Sequence, residues 1–212
     1  PTSDYATQTA CRINTKMLNG EGEIVPKFYT VDRSGNVAKN ITFGLKSNYS
    51  DYQIWTVQNV YDEDDVISRI NQMYPEGLSE HGFQYLIKHG LVIFENGTRN
   101  PLQITHTTPM VEAIFELVRK SEFPQLPSRM QSMFAWCELD DAKKFNVSSG
   151  GACSIYEVES EQAFIADQNL LYLGGSIIGA YELARKYWAG ERGNNCKLEA
   201  VIPLPVVIGN AI

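Results

Sequence analysis

The chain closes on an apolar run, LEAVIPLPVVI at residues 198–208, and this run most constrains the fold. Its valines and isoleucines favour a pleated, buried backbone. Pro203 and Pro205 cannot donate to a strand ladder, so the run is an edge strand or is split in two at a bend. Strands need partners, and the sequence offers them. Phe28-Tyr29-Thr30-Val31 is β-rich, Ser34-Gly35-Asn36 is turn chemistry, and residues 40–45 read as a second strand. SRMQSMFAW (128–136) and CSIYEVES (153–160) read as strands too.

Helical patterns lie between them. Asp62, Glu63, Asp64 and Asp65 place negative charge where a helix N-terminus favours it. Val66, Ile67, Ile70, Met73 and Tyr74 then recur at helical spacing up to Pro75. A second helix is predicted over 79–89, with Phe83, Leu86 and Ile87 inward and Gly90 as its stop. Asn96-Gly97 between apolar runs signals a hairpin. Thr108-Pro109 opens a third helix, with Met110, Ile114, Leu117 and Val118 as its buried face. DDAKKF (140–145) is a short helix behind an acidic start. GSIIGAYELARKYWAGE (175–191) is another helix, with Ile177, Tyr181, Ala184 and Trp188 on one face and Gly190 at its end. Residues 1–25 are polar and read as an arm or a loosely held start. The order of elements predicts an α+β fold with a mixed, mainly antiparallel sheet. Residues 1–212 read as a single domain with a helical insertion over 62–121. Helix, helix and hairpin give that insertion a winged-helix-like order.

Composition narrows the function. With 25 acidic and 18 basic residues, the net charge is −7, which argues against a nucleic-acid binder held by bulk electrostatics. No apolar run is long enough to span a bilayer, and the first twenty residues lack the apolar core of a secretory signal. An initial Pro is compatible with removal of a start Met, so a cytoplasmic product is expected. Cys11, Cys137, Cys153 and Cys196 form no CxxC pair, and free thiols rather than a zinc site are expected. His81, His89 and His106 form no metal-ligand pair with one another or with a cysteine and read as surface or core histidines. No P-loop lysine motif, HExxH, GxSxG or strand-borne GxGxxG occurs.

Two segments carry chemistry together. Ser132, in Ser128-Arg129-Met130-Gln131-Ser132-Met133-Phe134-Ala135-Trp136, is followed by Ala142-x-x-Phe145. Near the chain end stands Glu199-Ala200-Val201-Ile202-Pro203. In order and placement these segments resemble the ADP-ribosyltransferase superfamily. There a serine-bearing strand precedes an A-x-x-F helix, and the catalytic glutamate begins a late strand. The resemblance covers about the last ninety residues and the strand at Phe28-Tyr29. It implies a sheet core of ADP-ribosyltransferase type, NAD as the substrate, and a macromolecular acceptor, a host protein or a nucleic acid. Compact relatives of this kind are often toxins or phage effectors. It also implies that residues 188–197 form the target-recognition loop, with Trp188 and Lys197 in it. The family's early arginine or histidine anchor is not matched. Tyr29 and Arg33 are the nearest candidates, and Arg129 is an alternative cation. Lys197 stands two before the glutamate, where arginine-modifying relatives carry Glu or Gln.

The residues support the same chemistry on their own terms. Breaking the nicotinamide–ribose bond builds positive charge on the ribose, which a fixed carboxylate stabilises. Glu199 is that carboxylate or an ordinary strand-end acid. Ser132 orients it, touches the nicotinamide ribose, or is a plain strand serine. Arg129 binds the pyrophosphate or flanks the strand in solvent. Ser132, Phe134 and Trp136 share a face by the period of two and make a wall for nicotinamide or a piece of core. The non-enzymatic alternative is an interaction module that docks through the helical middle.

Overall fold

The computed structural model describes residues 16–18, 24–33, 35–49, 63–88 and 107–212. The strands are β1 (Lys16–Leu18), β2 (Ile24–Asp32), β3 (Thr42–Phe43), β4 (Ser132–Trp136), β5 (Ser154–Glu159), β6 (Phe164–Asp167), β7 (Leu198–Pro203) and β8 (Val206–Ala211). Seven of them run in the order β3-β8-β5-β2-β4-β7-β6, and β1 pairs with β2. Every pairing between them is antiparallel. The fold is α+β, as the sequence predicts.

The join between β2 and β4 is narrow. It consists of one residue pair, Tyr29 with Trp136, supported by a 2.9 Å hydrogen bond from the Thr30 hydroxyl to the Phe134 carbonyl. The two halves of the sheet share one core on their common side. Phe28, Val158 and Ile208 come from one half, and Ala135, Leu198, Ala200 and Ile202 from the other. The closing run is two strands: β7 ends at Pro203, and β8 begins at Val206 after a cis Leu204–Pro205 bond.

The helices cover the opposite side of the sheet. They are α1 (Glu63–Met73), α2 (Glu80–Phe83), α3 (Thr107–Glu122), α4 (Leu139–Ser148) and α5 (Ile177–Trp188). Phe115 and Val118 of α3, Ala184, Tyr187 and Trp188 of α5, and Ala166 and Val201 of the sheet form one cluster. Tyr49, Ile70, Tyr74, Leu78, Phe83 and Met130 form another, which ties α1 and α2 to the approach of β4. α4 covers another part of that same face, where Ala142 and Phe145 meet Trp136 and Tyr29.

Several sequence expectations are corrected. β1 makes part of the presumed N-terminal arm a sheet strand. β6 carries only four residues and has no sequence signal above. The second helix becomes a π-turn over Gln84–Lys88, which changes the side-chain rotation and leaves Leu86 exposed. On α3, Met110 and Leu117 face solvent, while Val111, Glu112, Phe115, Glu116, Val118 and Arg119 are buried. The reason is that the inner face carries ion pairs, which an apolar count cannot see. On α5, Ile177 is exposed and Tyr181 half-exposed, so only Ala184 and Trp188 of the expected face lie in the core. The hairpin at Asn96-Gly97 lies outside the described residues.

Candidate functional site

A buried polar cluster sits where α2, α3, α5 and the edge of β7 converge. Ser128 caps the short helical turn Arg129–Gln131, accepting from the Met130 amide at 3.1 Å, and so sets Arg129 just before β4. Gly82 of α2 packs against this turn so closely that a Cβ would lie 2.1 Å from the Met130 carbonyl oxygen. Ser79 caps α2 and donates to that same carbonyl at 3.0 Å. These contacts bring His81 to the cluster.

Arg129 is its centre. Nε and Nη2 donate to the two oxygens of Glu112, each at 2.9 Å. This is a bidentate fork on a carboxylate. Nη1 donates at 2.7 Å to Glu199 Oε1 and at 2.7 Å to the Tyr187 hydroxyl. Tyr187 in turn donates to Glu199 Oε1 at 2.6 Å. All four side chains are buried. Phe134 lies against the guanidinium, with the arginine Cζ 4.3 Å from its ring centroid, a cation–π contact. The His81 ring meets the Phe134 ring at 4.6 Å and the Tyr85 ring at 4.6 Å between centroids. Its Nε2 lies 3.2 Å from Glu112 Oε2. That approach lacks hydrogen-bond geometry, so Nε2 is buried without a hydrogen bond among the described residues.

The electrostatics follow from this geometry. Burial pushes the Glu112 carboxyl up, but the charge of Arg129 and the contact with His81 outweigh it and hold the group well below the usual carboxylate range. Burial works against the charge on Arg129, yet Tyr187, Glu112 and Glu199 keep it protonated with a pKa raised well above the usual value. Burial pushes the Tyr187 hydroxyl up, so it stays a donor to Glu199. One guanidinium therefore faces two carboxylates. Glu112 takes the bidentate side, and Glu199 shares a single nitrogen.

Glu199 is the second residue of β7. In register it pairs with Trp136 of β4 and Ala166 of β6, and Trp136 pairs with Tyr29 of β2. Tyr29, Trp136 and Glu199 thus form one row across the sheet, on one face. Oε1 of Glu199 receives both bonds, and Oε2 receives none among the described residues.

The structure therefore brings together Glu199, Arg129, Phe134, Trp136 and Tyr29 of the sequence-predicted residues. Arg33 is exposed at the end of β2, 5.3 Å from the Phe145 ring. Its charge reaches Tyr85, whose hydroxyl burial and Glu112 push up while Arg33 and Arg129 lower it.

Three assignments are corrected. Arg129 is not free for a pyrophosphate, because Glu112, Glu199 and Tyr187 take its three nitrogens. Ser132 does not orient Glu199; its hydroxyl donates to the Ser128 carbonyl at 2.7 Å, and the residue pairs with Pro203, four residues along β7. Trp188 is not in a target loop. It is 1% exposed, and its indole donates to the Phe115 carbonyl at 2.7 Å. Lys197 does lie in an exposed loop. The Asp167 carboxylate accepts from the amides of Lys197, Gly193 and Asn169 at 3.0–3.1 Å and holds the loop against β6.

Glu112, Tyr187 and His81 are site residues that the sequence alone did not pick out. A signal for Glu112 was present. Glu112, Glu116 and Arg119 sit at spacings of four and three, interleaved with Val111, Phe115 and Val118, so polar residues share the inner stripe of α3. Glu116 and Arg119 build a second buried network with Ser128 and Tyr74.

Residues 29–212 match the family described as a protein of unknown function (DUF2441), and the chain belongs to that family. The match begins at Tyr29 and includes every residue of the cluster. No curated protein matches the chain. Among the described residues no helix is long and apolar enough to cross a membrane.

Proposed function

We propose that this member of the DUF2441 family cleaves NAD at the nicotinamide–ribose bond and transfers ADP-ribose to a macromolecular acceptor, with Glu199 as the catalytic carboxylate. The observation that carries this reading is the asymmetry of Glu199. One carboxylate oxygen is fixed by Arg129 and Tyr187, and the other takes no hydrogen bond among the described residues. A carboxylate held in this way has a set direction and one oxygen left to hold a ribose hydroxyl. Because Glu112 takes the bidentate side of Arg129, the cluster places two carboxylates against one guanidinium. The excess negative charge suits a substrate that becomes cationic at the ribose as nicotinamide leaves.

The surroundings support the same reading. Tyr29 and Trp136 lie in the row of Glu199; Trp136 is buried against Phe145 of α4, and the half-buried Tyr29 is the aromatic beside it. Arg33 stands exposed at the rim as a cation for a phosphate. The loop from Glu191 to Lys197 leads directly into β7, and its exposed polar residues give the acceptor a surface next to the reacting centre. The sheet would then be of ADP-ribosyltransferase type. Water in place of the acceptor turns the same site into a glycohydrolase.

The test is nicotinamide release from NAD by the purified chain, with and without cell lysate. Glu199→Gln keeps an oxygen acceptor for Arg129 and Tyr187, so its Tm stays within a few degrees. Its release rate falls on the order of 10²–10³-fold, the loss seen on removing one preorganised electrostatic group. Release retained in that variant, or none from the wild-type chain, overturns the reading.

A further inference from the structure

We propose that His81 is the general base that removes the acceptor's proton during transfer, with Glu112 as its orienting carboxylate. The inference rests on the reading of Glu199 given above and assigns a step that Glu199 does not perform. ADP-ribose transfer needs two functions. One steadies the cationic ribose, which is the task of Glu199. The other takes a proton from the attacking hydroxyl, amine or water. A carboxylate committed to the ribose, with one oxygen tied to Arg129 and Tyr187, is poorly placed for both.

His81 meets the requirements for the second task. Its side chain is 20% exposed, whereas that of Glu112 behind it is 5% exposed. Nε2 faces Glu112 Oε2 at 3.2 Å, and ring geometry turns Nδ1 away from that carboxylate. A carboxylate behind an imidazole fixes the tautomer and steadies the imidazolium that forms. The bent approach of Nε2 to Glu112 is usual for a catalytic hydrogen bond before substrate binds. Phe134 links the two functions, since its ring contacts both His81 and the Arg129 guanidinium that holds Glu199. The titratable and charged groups facing His81 are Tyr85 and Glu112 and, beyond Glu112 and Phe134, Arg129. Gly82 permits the close approach of α2 that puts His81 there.

The step balances as follows. The C1′–N bond of NAD breaks, and its electron pair passes to the pyridinium nitrogen, which leaves as neutral nicotinamide. The acceptor's lone pair forms the new bond to C1′. Its proton passes to Nδ1 of His81 and then to solvent.

Azide separates this role from a structural one, because the azide anion attacks without a proton to lose. The full chain is given NAD in buffer with azide, and ADP-ribose and the azido adduct are quantified. In His81→Gln and His81→Asn, hydrolysis falls about 10²-fold, the typical contribution of a general base, while the azido adduct forms at close to the wild-type rate. Glu199→Gln loses both products, so failure of the ribose carboxylate and failure of the base look different. If one His81 variant has a lowered Tm, the other is read. The wild-type chain supplies a measurement that needs no variant: the ratio of hydrolysis to azido adduct rises with pH. Equal loss of both products in a His81 variant of unchanged Tm, unchanged hydrolysis, or a pH-independent ratio overturns the proposal. Absence of nicotinamide release from the wild-type chain overturns it together with the reading on which it rests.

Discussion

Replacing Arg129 by Met keeps most of the side chain's length and apolar stem and removes the guanidinium that pairs with both Glu112 and Glu199. Both carboxylates are then left buried, Glu112 at 4% exposure and Glu199 at 7%. Breaking a buried pair by deleting one partner destabilises by about 3–5 kcal/mol, because the remaining charge has lost its water and its counterion. For a chain of this size, each kcal/mol moves Tm by about 2–4 °C, so the variant melts about 6–20 °C lower at neutral pH.

The pH dependence makes the argument sharper. In the wild-type fold Arg129 holds Glu112 below its usual pKa of 4.5. Its contribution to stability is present above that value and is lost as pH falls through the depressed value. In Arg129→Met the burial that pushes Glu112 up is opposed only by His81. Glu112 then titrates above its unfolded value, and its contribution is present at low pH and lost as pH rises. The gap in unfolding free energy between the two proteins is therefore widest at neutral pH. It narrows toward pH 4 by up to about 1.4 kcal/mol per pH unit for this one group. Urea unfolding of both proteins from pH 4 to pH 7 measures the gap. A gap that stays constant with pH refutes the reasoning, because it would mean that Arg129 contributes packing alone.

Other substitutions test the frame around the cluster. Gly82→Ala sets a Cβ against the Met130 carbonyl and destabilises by about 1–3 kcal/mol, seen as a lower urea midpoint. Under the proposed function it also lowers hydrolysis more than azide attack, since it moves His81. Asp167→Asn weakens three bonds from backbone amides of the Asn169–Lys197 region, and trypsin should cleave faster at Arg192 and Lys197 while β6 and β7 stay protected in hydrogen exchange. Ser79→Ala removes the cap of α2 and a donor to Met130, a loss of about 1 kcal/mol in urea unfolding.

The strands were legible where the sequence alternates and carries β-branched residues. β5 and β7 fall where the pattern puts them, β4 keeps only Ser132–Trp136 of the strand expected over 128–136 because Arg129–Gln131 form a 3-10 turn, and Pro203 and Pro205 mark the break between β7 and β8. β6 was not legible because Phe-Ile-Ala-Asp is too short to show a period. Helix positions were legible and helix faces were not. Counting apolar residues on α3 selects Met110 and Leu117, yet the face that meets the protein carries Glu112, Glu116 and Arg119. Glu116 pairs with Arg119 on the same helix, but Glu112 and the rest of the Glu116 network depend on partners that lie 12–17 residues ahead, at Arg129 and Ser128. A single-helix pattern holds no record of such partners. The same limit applied to Tyr187, which lies off the face that spacing selects on α5, is buried, and ends in a hydroxyl bound to Arg129 and Glu199.

The two buried networks of α3 differ in a way that bears on function. Around Glu116 the bonds close on themselves. Arg119 takes both oxygens of Glu116 and extends to the Leu126 carbonyl, and Ser128 adds a further donor. Such a network ties the end of α3 to the chain that follows it. Around Glu112 the bonds do not close. His81 approaches without a hydrogen bond, and Glu199 keeps one oxygen free among the described residues. His81 Nε2 is the buried atom of this network without a hydrogen bond, and such an atom costs about 1–3 kcal/mol, so a purely structural network would gain by completing it. The open positions sit on two elements, α2 and β7, whose side chains His81 and Glu199 are linked through Phe134 and Arg129. That arrangement is expected of a site in which a bound molecule supplies the missing partners. It also predicts that Glu199→Gln and His81→Gln destabilise the free chain far less than Arg129→Met does, a ranking that urea unfolding of the three variants measures directly.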